Sequence, residues 1–291
     1  MMIVILGPTC VGKTKLSVEL AKKINGEIIN ADSTQVYRGL DIATAKVTVE
    51  EKENIPHHLF DIKDITEDYT VFDYQKDCRN IIDAILSRGK IPILVGGTGL
   101  YIKAALYDYE FVSDDNNDYK ELSDDELYNK VISLDKDNTI HKNNRKRLVR
   151  ALNYMESTKL PYSKKDKTDK LLYDTLFIGL TCDRNILYDR INKRVDAMVN
   201  LGLLDEARKV YDSNIRTKAV LTPIGYKELF PYFDGSANLD SCLDKIRKNS
   251  RHYAKRQYTF FNHQLDVKWF NVDFDNFNNT VSSVLDYTNN K

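Results

Sequence analysis

The sequence has few cysteines and no long apolar run, and each shortage excludes a class of protein. The four cysteines among 291 residues stand singly, with no Cys-x-x-Cys pair, which argues against a zinc site and against a disulfide framework. No apolar stretch approaches the roughly 20 residues that span a bilayer. Lys13 interrupts the N-terminal apolar segment before any signal-peptide cleavage pattern. We therefore expect a cytoplasmic, globular protein with reduced thiols and no membrane contact.

Net charge is also lacking, because 43 basic residues balance 43 acidic ones, but the charges are segregated along the chain. Residues 113–126 contain seven acids and one lysine, whereas residues 141–150 and 245–256 are rich in lysine and arginine and contain no acid. A single basic run is often only a solvated helix face. Two such runs in a neutral protein favour a polyanionic partner such as RNA.

A phosphate-binding loop follows the first apolar run, MIVIL at residues 2–6. The next eight residues, GPTCVGKT, match the pattern G-x-x-x-x-G-K-T at every fixed position, and an amphipathic helical pattern follows them. Such a loop points its N–H groups at phosphate oxygens, and its threonine offers a hydroxyl to Mg²⁺. The alternative is a chance glycine-rich turn. The candidate phosphate-binding residues are Gly7, Pro8, Thr9, Cys10, Val11, Gly12, Lys13 and Thr14, with Thr14 as the Mg²⁺ ligand.

The remaining pattern predicts an α/β fold. Apolar strand candidates at residues 27–32, 91–96 and 175–181 alternate with helical patterns, which indicates a parallel sheet flanked by helices. One predicted helix, residues 71–88, has the apolar side Phe72, Cys78, Ile81, Ile82, Ile85 and Leu86. Helical patterns also cover residues 184–212 and a last long helix from about 239. We expect a core of residues 1–107 and 173–291, interrupted by a mostly helical insertion at 108–172.

Two further polar residues lie where predicted strands end. In open α/β sheets ligands collect at the carboxyl ends of strands, so Asp32 and Thr98 are expected near the phosphate-binding loop. The alternatives for Asp32 are a helix N-cap or a Mg²⁺-holding carboxylate, and in an arbitrary P-loop protein the Mg²⁺ role is the favoured one. Thr98, within VGGTGLY, is equally compatible with a glycine turn before a helix.

An ordered series of longer motifs runs through the chain. They are NADSTQVYRGLDIATAK at 30–46, PHHLFDI at 56–62, LVGGTGLYIKA at 94–104, RLVRAL at 147–152, IGYKE at 224–228 and RHYAKRQ at 251–257. Together with GPTCVGKT, this series resembles the bacterial tRNA dimethylallyltransferases over nearly the whole chain. The resemblance implies a P-loop NTPase-like core with a helical insertion that contacts tRNA.

The resemblance also implies a reaction, in which the dimethylallyl group of dimethylallyl diphosphate moves to N6 of the adenosine immediately 3′ of the anticodon. The phosphate-binding loop would then hold the leaving diphosphate with Mg²⁺, Asp32 would accept the N6 proton, and Thr98 would reach the reacting centre. Arg190 and Arg194 lie four residues apart and would close on the diphosphate, although a solvated helix face is the alternative.

The partner implied by the resemblance is the tRNA anticodon stem-loop, bound by a protein that we expect to be a monomer. The target adenine has to leave its stack to reach a strand-end pocket, so the loop must be held by other contacts. The candidate tRNA-binding residues are Asp32, Ser33, Thr34, Gln35, Lys146, Arg147, Leu148, Val149, Arg150, Arg251, Lys255 and Arg256.

Three alternatives stay open on the sequence. An adenylate or ADP isopentenyltransferase would prenylate a free nucleotide with the same loop and aspartate, but the helical insertion and the basic runs favour RNA. A small-molecule P-loop kinase would transfer phosphoryl groups from ATP and would not require PHHL or VGGTGLY. A noncatalytic RNA-binding module would leave the phosphate-binding loop without a use.

Overall fold

The computed structural model describes residues 1–109, 117–164 and 170–291. The chain forms two compact units: the core unit, Met1–Leu106 with Leu171–Lys291, and the helical unit, Tyr107–Lys170. The part of the acidic stretch at residues 113–116 and the lysine-rich segment at 165–169 lie outside the described residues.

The core unit is built on a parallel sheet, as the sequence predicts. Its strands, within the described residues, are β1 (Met2–Leu6), β2 (Gly26–Asn30), β3 (His57–His58), β4 (Ile91–Val95), β5 (Thr175–Thr181) and β6 (Lys268–Asn271). They pair in the order β3-β2-β4-β1-β5-β6, and every pairing is parallel. All five residues of β1 are buried, because a parallel strand between two others is covered on both faces and must be apolar throughout.

Helices connect and cover these strands. In chain order they are α1 (Lys13–Ile24), α2 (Val49–Lys52), α3 (Val71–Ser87), α4 (Gly99–Leu106), α5 (Asp124–Leu134), α6 (Arg145–Thr158), α7 (Arg184–Asn200), α8 (Leu203–Asp212), α9 (Lys218–Leu221), α10 (Tyr226–Phe233), α11 (Leu239–Gln264) and α12 (Phe277–Asn289). Among the described residues, no helix is both long and apolar enough to cross a bilayer.

The buried side of α3 differs from the predicted one. Phe72 and Leu86 are 54% and 37% exposed, so assigning them to the apolar side was wrong. The residues that face the core are Tyr74, Gln75, Cys78, Ile82 and Ile85. Phe72 precedes Tyr74 by two positions, which places it about 200° away around the helix and therefore on the solvent side.

The sequence pattern did not predict three further features of the fold. The helical stretch predicted at 184–212 is two helices, because Gly202 adopts a left-handed conformation with φ 100° and begins α8. The predicted last helix, α11, is followed by β6 and α12. The edge strands β3 and β6 comprise two and four residues, which is too short for a recognisable alternation of apolar and polar residues.

The helical unit has a core of its own between α5 and α6. Ser123 and Glu126 form a capping box at the start of α5, which satisfies backbone N–H groups there. The buried residues in the core of the helical unit are Tyr119, Leu127, Val131, Ile140, Leu148, Ala151, Leu152, Tyr154 and Met155. The opposite side of α6 is exposed and basic, so one amphipathic helix supplies both the core of this unit and a charged surface.

A buried carboxylate ties the β3 edge of the sheet together. Glu27 in β2 accepts hydrogen bonds from His58 Nε2 at 2.7 Å, Arg88 Nη2 at 2.9 Å and Lys90 Nζ at 2.8 Å, and its side chain is 5% exposed. Burial raises the pKa of this carboxyl, but the three hydrogen bonds outweigh burial and lower the pKa to about 2. The ionised form therefore stabilises the fold.

Replacing this carboxylate tests that assignment. We expect Glu27→Gln to lower the free energy of unfolding by about 2 kcal/mol at pH 7, because the three cationic or donor groups lose their anion. The pKa is lower in the folded chain than the ordinary value of 4.5, so the contribution is complete above pH 4.5 and decreases as the pH falls toward about 2.

Urea unfolding between pH 7 and pH 3 measures both effects. The gap between wild type and variant should narrow below about pH 4.5, because the Glu27 carboxyl takes up a proton in the unfolded chain before it does so in the folded chain. Glu53→Gln is the matched control, because its ion pair with Lys22 is exposed and should contribute less than about 1 kcal/mol. A Glu27→Gln variant as stable as this control would show that the buried cluster contributes nothing.

Candidate active site

The phosphate-binding loop leaves the sheet where β1 ends and turns into α1. Gly7 has φ 138°, and a Cβ on it would lie 2.5 Å from the carbonyl oxygen of Leu180 in β5. Gly12 has φ 92°, and its Cβ would lie 2.8 Å from the Phe277 ring. Cys10 also adopts a left-handed φ of 69°. The two fixed glycines are therefore required both by the backbone conformation and by the lack of space.

Lys13, the first residue of α1, folds back over this loop. Its Nζ donates to the carbonyl oxygens of Gly7 at 3.0 Å and Pro8 at 2.7 Å. Burial lowers the pKa of the Lys13 ammonium to about 8, against the opposing effect of the Asp32 carboxylate. An ammonium that is destabilised in this way gains from an added anion, so the loop is electrostatically suited to bind one.

Both arginines of α7 reach the same loop. Arg190 Nε donates to the carbonyl oxygen of Cys10 at 3.0 Å, and its guanidinium stacks on the Phe274 ring at 3.8 Å from the centroid. Arg194 Nη1 donates to Thr9 Oγ1 at 3.0 Å. Their spacing of four residues puts both guanidinium groups on one side of α7, and that side faces the loop rather than solvent alone. With Lys13, three cations therefore contact the loop.

Asp32 lies just beyond the end of β2, in a tight turn. Its Oδ1 accepts hydrogen bonds from the N–H and the hydroxyl of Thr34, at 3.0 and 2.7 Å. The side chain of Asn30 fixes the turn from behind, since it accepts from Asp32 N–H at 2.8 Å and donates to the Asp32 carbonyl oxygen at 3.0 Å. These bonds hold the Asp32 carboxylate at the sheet edge, where it interacts electrostatically with Lys13.

Thr98 lies at the end of β4, between the ends of β2 and β1. Its Oγ1 accepts from Ser33 N–H at 3.0 Å, and its own N–H donates to the Ala31 carbonyl oxygen at 3.1 Å. Gly96 makes this approach possible, because a Cβ there would lie 2.3 Å from the backbone of Ala31. Because β4 separates β1 from β2 in the sheet, the strand ends that carry the phosphate-binding loop and Asp32 are two strand spacings apart, about 10 Å, and Thr98 follows the strand between them.

Gln35, the last of the predicted nucleotide-contacting residues beside Asp32, anchors the loop that follows. Its Nε2 donates to the carbonyl oxygens of Thr44 at 2.9 Å and Ala45 at 3.2 Å. Glu206 of α8 holds the same loop from the other side, because its carboxylate accepts the N–H groups of residues 41–43 at 2.9–3.1 Å. Sequence reasoning missed Glu206, since an acid in an amphipathic helix carries no local signal.

Gln257 of α11 is a second residue that sequence reasoning missed. Its side chain accepts a hydrogen bond from Thr9 N–H at 3.1 Å and donates one to the Gly97 carbonyl oxygen at 3.1 Å. Tyr253, one turn earlier, hydrogen-bonds with the side chains of Thr98 and Gln257. Burial, reinforced by the Asp32 carboxylate, raises the pKa of the Tyr253 hydroxyl, which keeps it protonated.

The basic residues of α11 lie on the same helix as Gln257. Arg251 Nη1 donates to Asn192 Oδ1 at 2.7 Å, which ties part of its guanidinium to α7. Lys255 and Arg256 are exposed, and the Arg256 guanidinium lies 5.6 Å from the centroid of the Tyr253 ring. This surface belongs to the core unit and extends from the edge of the candidate site.

The predicted tRNA-binding residues of α6 divide between the surface and the core of the helical unit. Lys146, Arg147 and Arg150 are exposed, and Val149 is half-buried. Leu148 is fully buried in the core of the helical unit. Its side chain does not face solvent, so we remove Leu148 from the candidate tRNA contacts. The reason is helical periodicity, because Leu148 lies three, four and seven positions before Ala151, Leu152 and Met155, which form the buried side of α6.

The loop offers a Mg²⁺ ion one candidate protein ligand, the hydroxyl of Thr14. Thr14 is exposed in the first turn of α1, where its hydroxyl can reach an ion bound to a phosphate. Within the described ranges, no group of three or more histidine, cysteine, aspartate or glutamate side chains is arranged to hold a metal. A Mg²⁺ ion at Thr14 would therefore take its other ligands from the diphosphate and water, as this ion commonly does.

The geometry combines a loop suited to a polyanion with a carboxylate and a hydroxyl at neighbouring strand ends. This arrangement can bind a diphosphate and remove a proton from a group beside it. Comparison with known proteins points the same way. The model of the family described as IPP transferase matches residues 35–264.

Named relatives match almost the whole chain. The tRNA dimethylallyltransferase of Anoxybacillus flavithermus is 46% identical over 99% of this chain and 96% of its own length. That of Bacillus subtilis is 44% identical over 93% of this chain and 90% of its own length.

Solved structures agree with these sequences. A tRNA isopentenylpyrophosphate transferase from Staphylococcus epidermidis superposes with a TM-score of 0.76 at 41% identity, over 99% of this chain and 98% of the other. A eukaryotic dimethylallyltransferase acting on tRNA superposes with a TM-score of 0.82 at 32% identity, over 92% and 73%. With the phosphate-binding loop, Asp32 and Thr98 placed together in this fold, the chain belongs to the tRNA dimethylallyltransferase family.

Proposed function

We propose that this protein transfers the dimethylallyl group of dimethylallyl diphosphate to N6 of the adenosine immediately 3′ of the anticodon in tRNA, releasing diphosphate. The observation that carries the proposal is the Asp32 carboxylate, held at a strand end beside a loop that three cations contact. The strands that carry the two groups lie on either side of β4, so a diphosphate at the loop and an amine at the carboxylate would be bound at the same edge of the sheet.

The loop side of the site stabilises the leaving group. As the bond between the allylic carbon and the diphosphate oxygen breaks, negative charge develops on that oxygen, and Lys13, Arg190 and Arg194 lie where they can neutralise it. A Mg²⁺ ion held at Thr14 would neutralise further charge on the diphosphate. Burial of Lys13 strengthens this effect, because a poorly solvated ammonium interacts strongly with an incoming anion.

The strand-end side of the site, with Asp32 and Thr98, orients and deprotonates the attacking adenosine amine. The exocyclic amine attacks the allylic carbon, becomes acidic as the new bond forms, and gives its proton to Asp32. The Asp32 turn is fixed by Asn30 and Thr34, so the carboxylate is held in place before the substrate arrives. Thr98 lies between the amine and the diphosphate and orients both. The hydroxyl of Thr98 is itself fixed by Ser33 N–H.

The tRNA is held at two kinds of surface. The stretch 32–35 contacts the flipped adenosine, with Ser33, Thr34 and Gln35 around the base. The exposed residues Lys146, Arg147 and Arg150 of α6, with the half-buried Val149, contact the anticodon stem-loop. Arg251, Lys255 and Arg256 of α11 contact it as well. Contacts of this kind act mainly on phosphates and position the loop without reading its sequence. We further propose that the protein acts as a monomer in the cytoplasm.

The alternatives account for fewer observations. A free-nucleotide isopentenyltransferase does not need the basic face of α6 or the helical unit that carries it. A small-molecule kinase does not need a carboxylate and a threonine at neighbouring strand ends. A noncatalytic RNA-binding protein would not need a half-buried Lys13 that donates to the carbonyl oxygens of its own loop.

The decisive experiment supplies purified protein with Mg²⁺ and labelled dimethylallyl diphosphate. We expect label to enter a tRNA that carries adenosine 3′ of the anticodon, and not the same tRNA with guanosine there. Free AMP serves as the competing acceptor. Label in AMP but not in tRNA would contradict the proposal.

Asp32→Asn tests the general base. Asparagine keeps the oxygen that accepts from Thr34, so the turn should persist, but it cannot take a proton. We expect kcat to fall by about 10²–10⁴-fold and the Kd for tRNA to change by less than about threefold. Single-turnover kinetics and filter binding measure the two. Asp266→Asn, at an exposed position, is the control and should leave kcat unchanged.

Arg147→Gln with Arg150→Gln tests the tRNA contact of α6. Both side chains are exposed, so the thermal midpoint should change little, whereas the slope of log Kd against log salt should decrease by about 1–2. Lys120→Gln removes an exposed charge of the helical unit that is paired with Asp118, and should leave the slope as it is. An unchanged slope in the double variant would assign these arginines to a role outside tRNA binding.

A further inference from the structure

Gln257 connects the two halves of the site through one side chain. It lies in α11, is 4% exposed, and uses both ends of its amide. Oε1 accepts the N–H of Thr9 in the phosphate-binding loop, and Nε2 donates to the carbonyl oxygen of Gly97, the residue before Thr98. The partners lie 248 and 160 positions away in the chain, so α11 joins two segments that do not adjoin each other in sequence.

A side-chain amide meets both requirements of this connection. The N–H of Thr9 can only donate and the carbonyl oxygen of Gly97 can only accept, so the bridging group needs an acceptor and a donor at the end of one side chain. A carboxylate offers no donor, and a hydrocarbon offers neither. The partners also fix which end of the amide is oxygen and which is nitrogen.

The Gln257 amide lies directly against Gly97. A Cβ on Gly97 would lie 2.0 Å from Gln257 Nε2, so a larger residue at position 97 would displace the amide. Gly96 likewise admits the backbone of Ala31. Thr98 then accepts from Ser33 N–H, next to Asp32. A displacement at Gln257 would therefore move the phosphate-binding loop relative to the residues that hold the amine.

We infer that Gln257 is a positioning residue for the transfer, setting the distance between the diphosphate-binding loop and the Asp32–Thr98 side of the site. The inference rests on the proposed function. Attack by the amine requires the allylic carbon and N6 in near contact, and a misplacement of about 1 Å can cost roughly 10²-fold in rate. A side chain that only filled space would affect stability and leave the rate of the folded enzyme unchanged.

Two substitutions at Gln257 separate the bridge from simple packing. Gln257→Glu keeps shape and the acceptor for Thr9 but loses the donor to Gly97, and Gln257→Leu loses both bonds without adding charge. We expect kcat for tRNA prenylation to fall at least about tenfold in both, with tRNA Kd within about twofold of wild type. Gln264→Glu is the matched control, since it makes the same change at an exposed position of the same helix.

A pH series gives a readout that packing alone would not produce. In the Gln257→Glu variant, the protonated carboxyl would carry an O–H that can donate to the Gly97 carbonyl oxygen as the amide does. The ratio of variant to wild-type kcat should therefore rise several-fold for Gln257→Glu between about pH 8 and pH 5.5, because burial raises the pKa of a carboxyl into this range. The ratio for Gln257→Leu should stay flat.

The outcomes are distinct. If wild-type protein does not prenylate tRNA, the proposed function fails. If wild type is active and Gln257→Glu matches it, or if the loss in kcat follows the loss in thermal midpoint and shows no recovery at low pH, the positioning role is wrong. If Gln257→Leu does not fold, the nearly isosteric Gln257→Glu still decides.

Discussion

The turn at Gly7 is the constraint on which the site depends. Strand β1 is buried along its whole length, and the chain must leave it directly beside β5. At Gly7 the backbone passes so close to Leu180 that a Cβ would lie 2.5 Å from its carbonyl oxygen. Because this turn is possible, the loop stays against the sheet edge, and Lys13 begins α1 within reach of its carbonyl oxygens.

The order of the strands in the sheet determines where the functional groups lie relative to one another. The phosphate-binding loop follows β1, Thr98 follows β4 and Asp32 follows β2, and these three strands are adjacent in the sheet with β4 in the middle. The site therefore has a cationic end and a carboxylate end, separated by a hydroxyl. Parallel strands make this possible, since all their carboxyl ends meet at one edge. Helix α11 closes the arrangement through Gln257, which contacts the loop and the end of β4 together.

The fold also determines where the cationic side chains lie. A formal net charge of zero hides cationic groups gathered at the phosphate-binding loop and on the exposed sides of α6 and α11. In α6 the same helix carries a buried apolar side, and Leu148 belongs to that side although basic residues flank it. The packed side of α6 therefore fixes the position of the helix, while its arginine and lysine side chains stay exposed to solvent.

The sequence by itself determined the parts that depend on local backbone. Short motifs predicted the glycines and Lys13 of the loop and the strand ends at Asp32 and Thr98. They could do so because neighbouring residues determine turns and strand ends. The edge strands β3 and β6, Glu206 and Gln257 were decided only by the tertiary structure. Gln257 and Thr9 are 248 positions apart, and nothing local in a helical glutamine shows which N–H and which carbonyl oxygen it will meet. Such contacts exist only after the sheet has brought distant segments together.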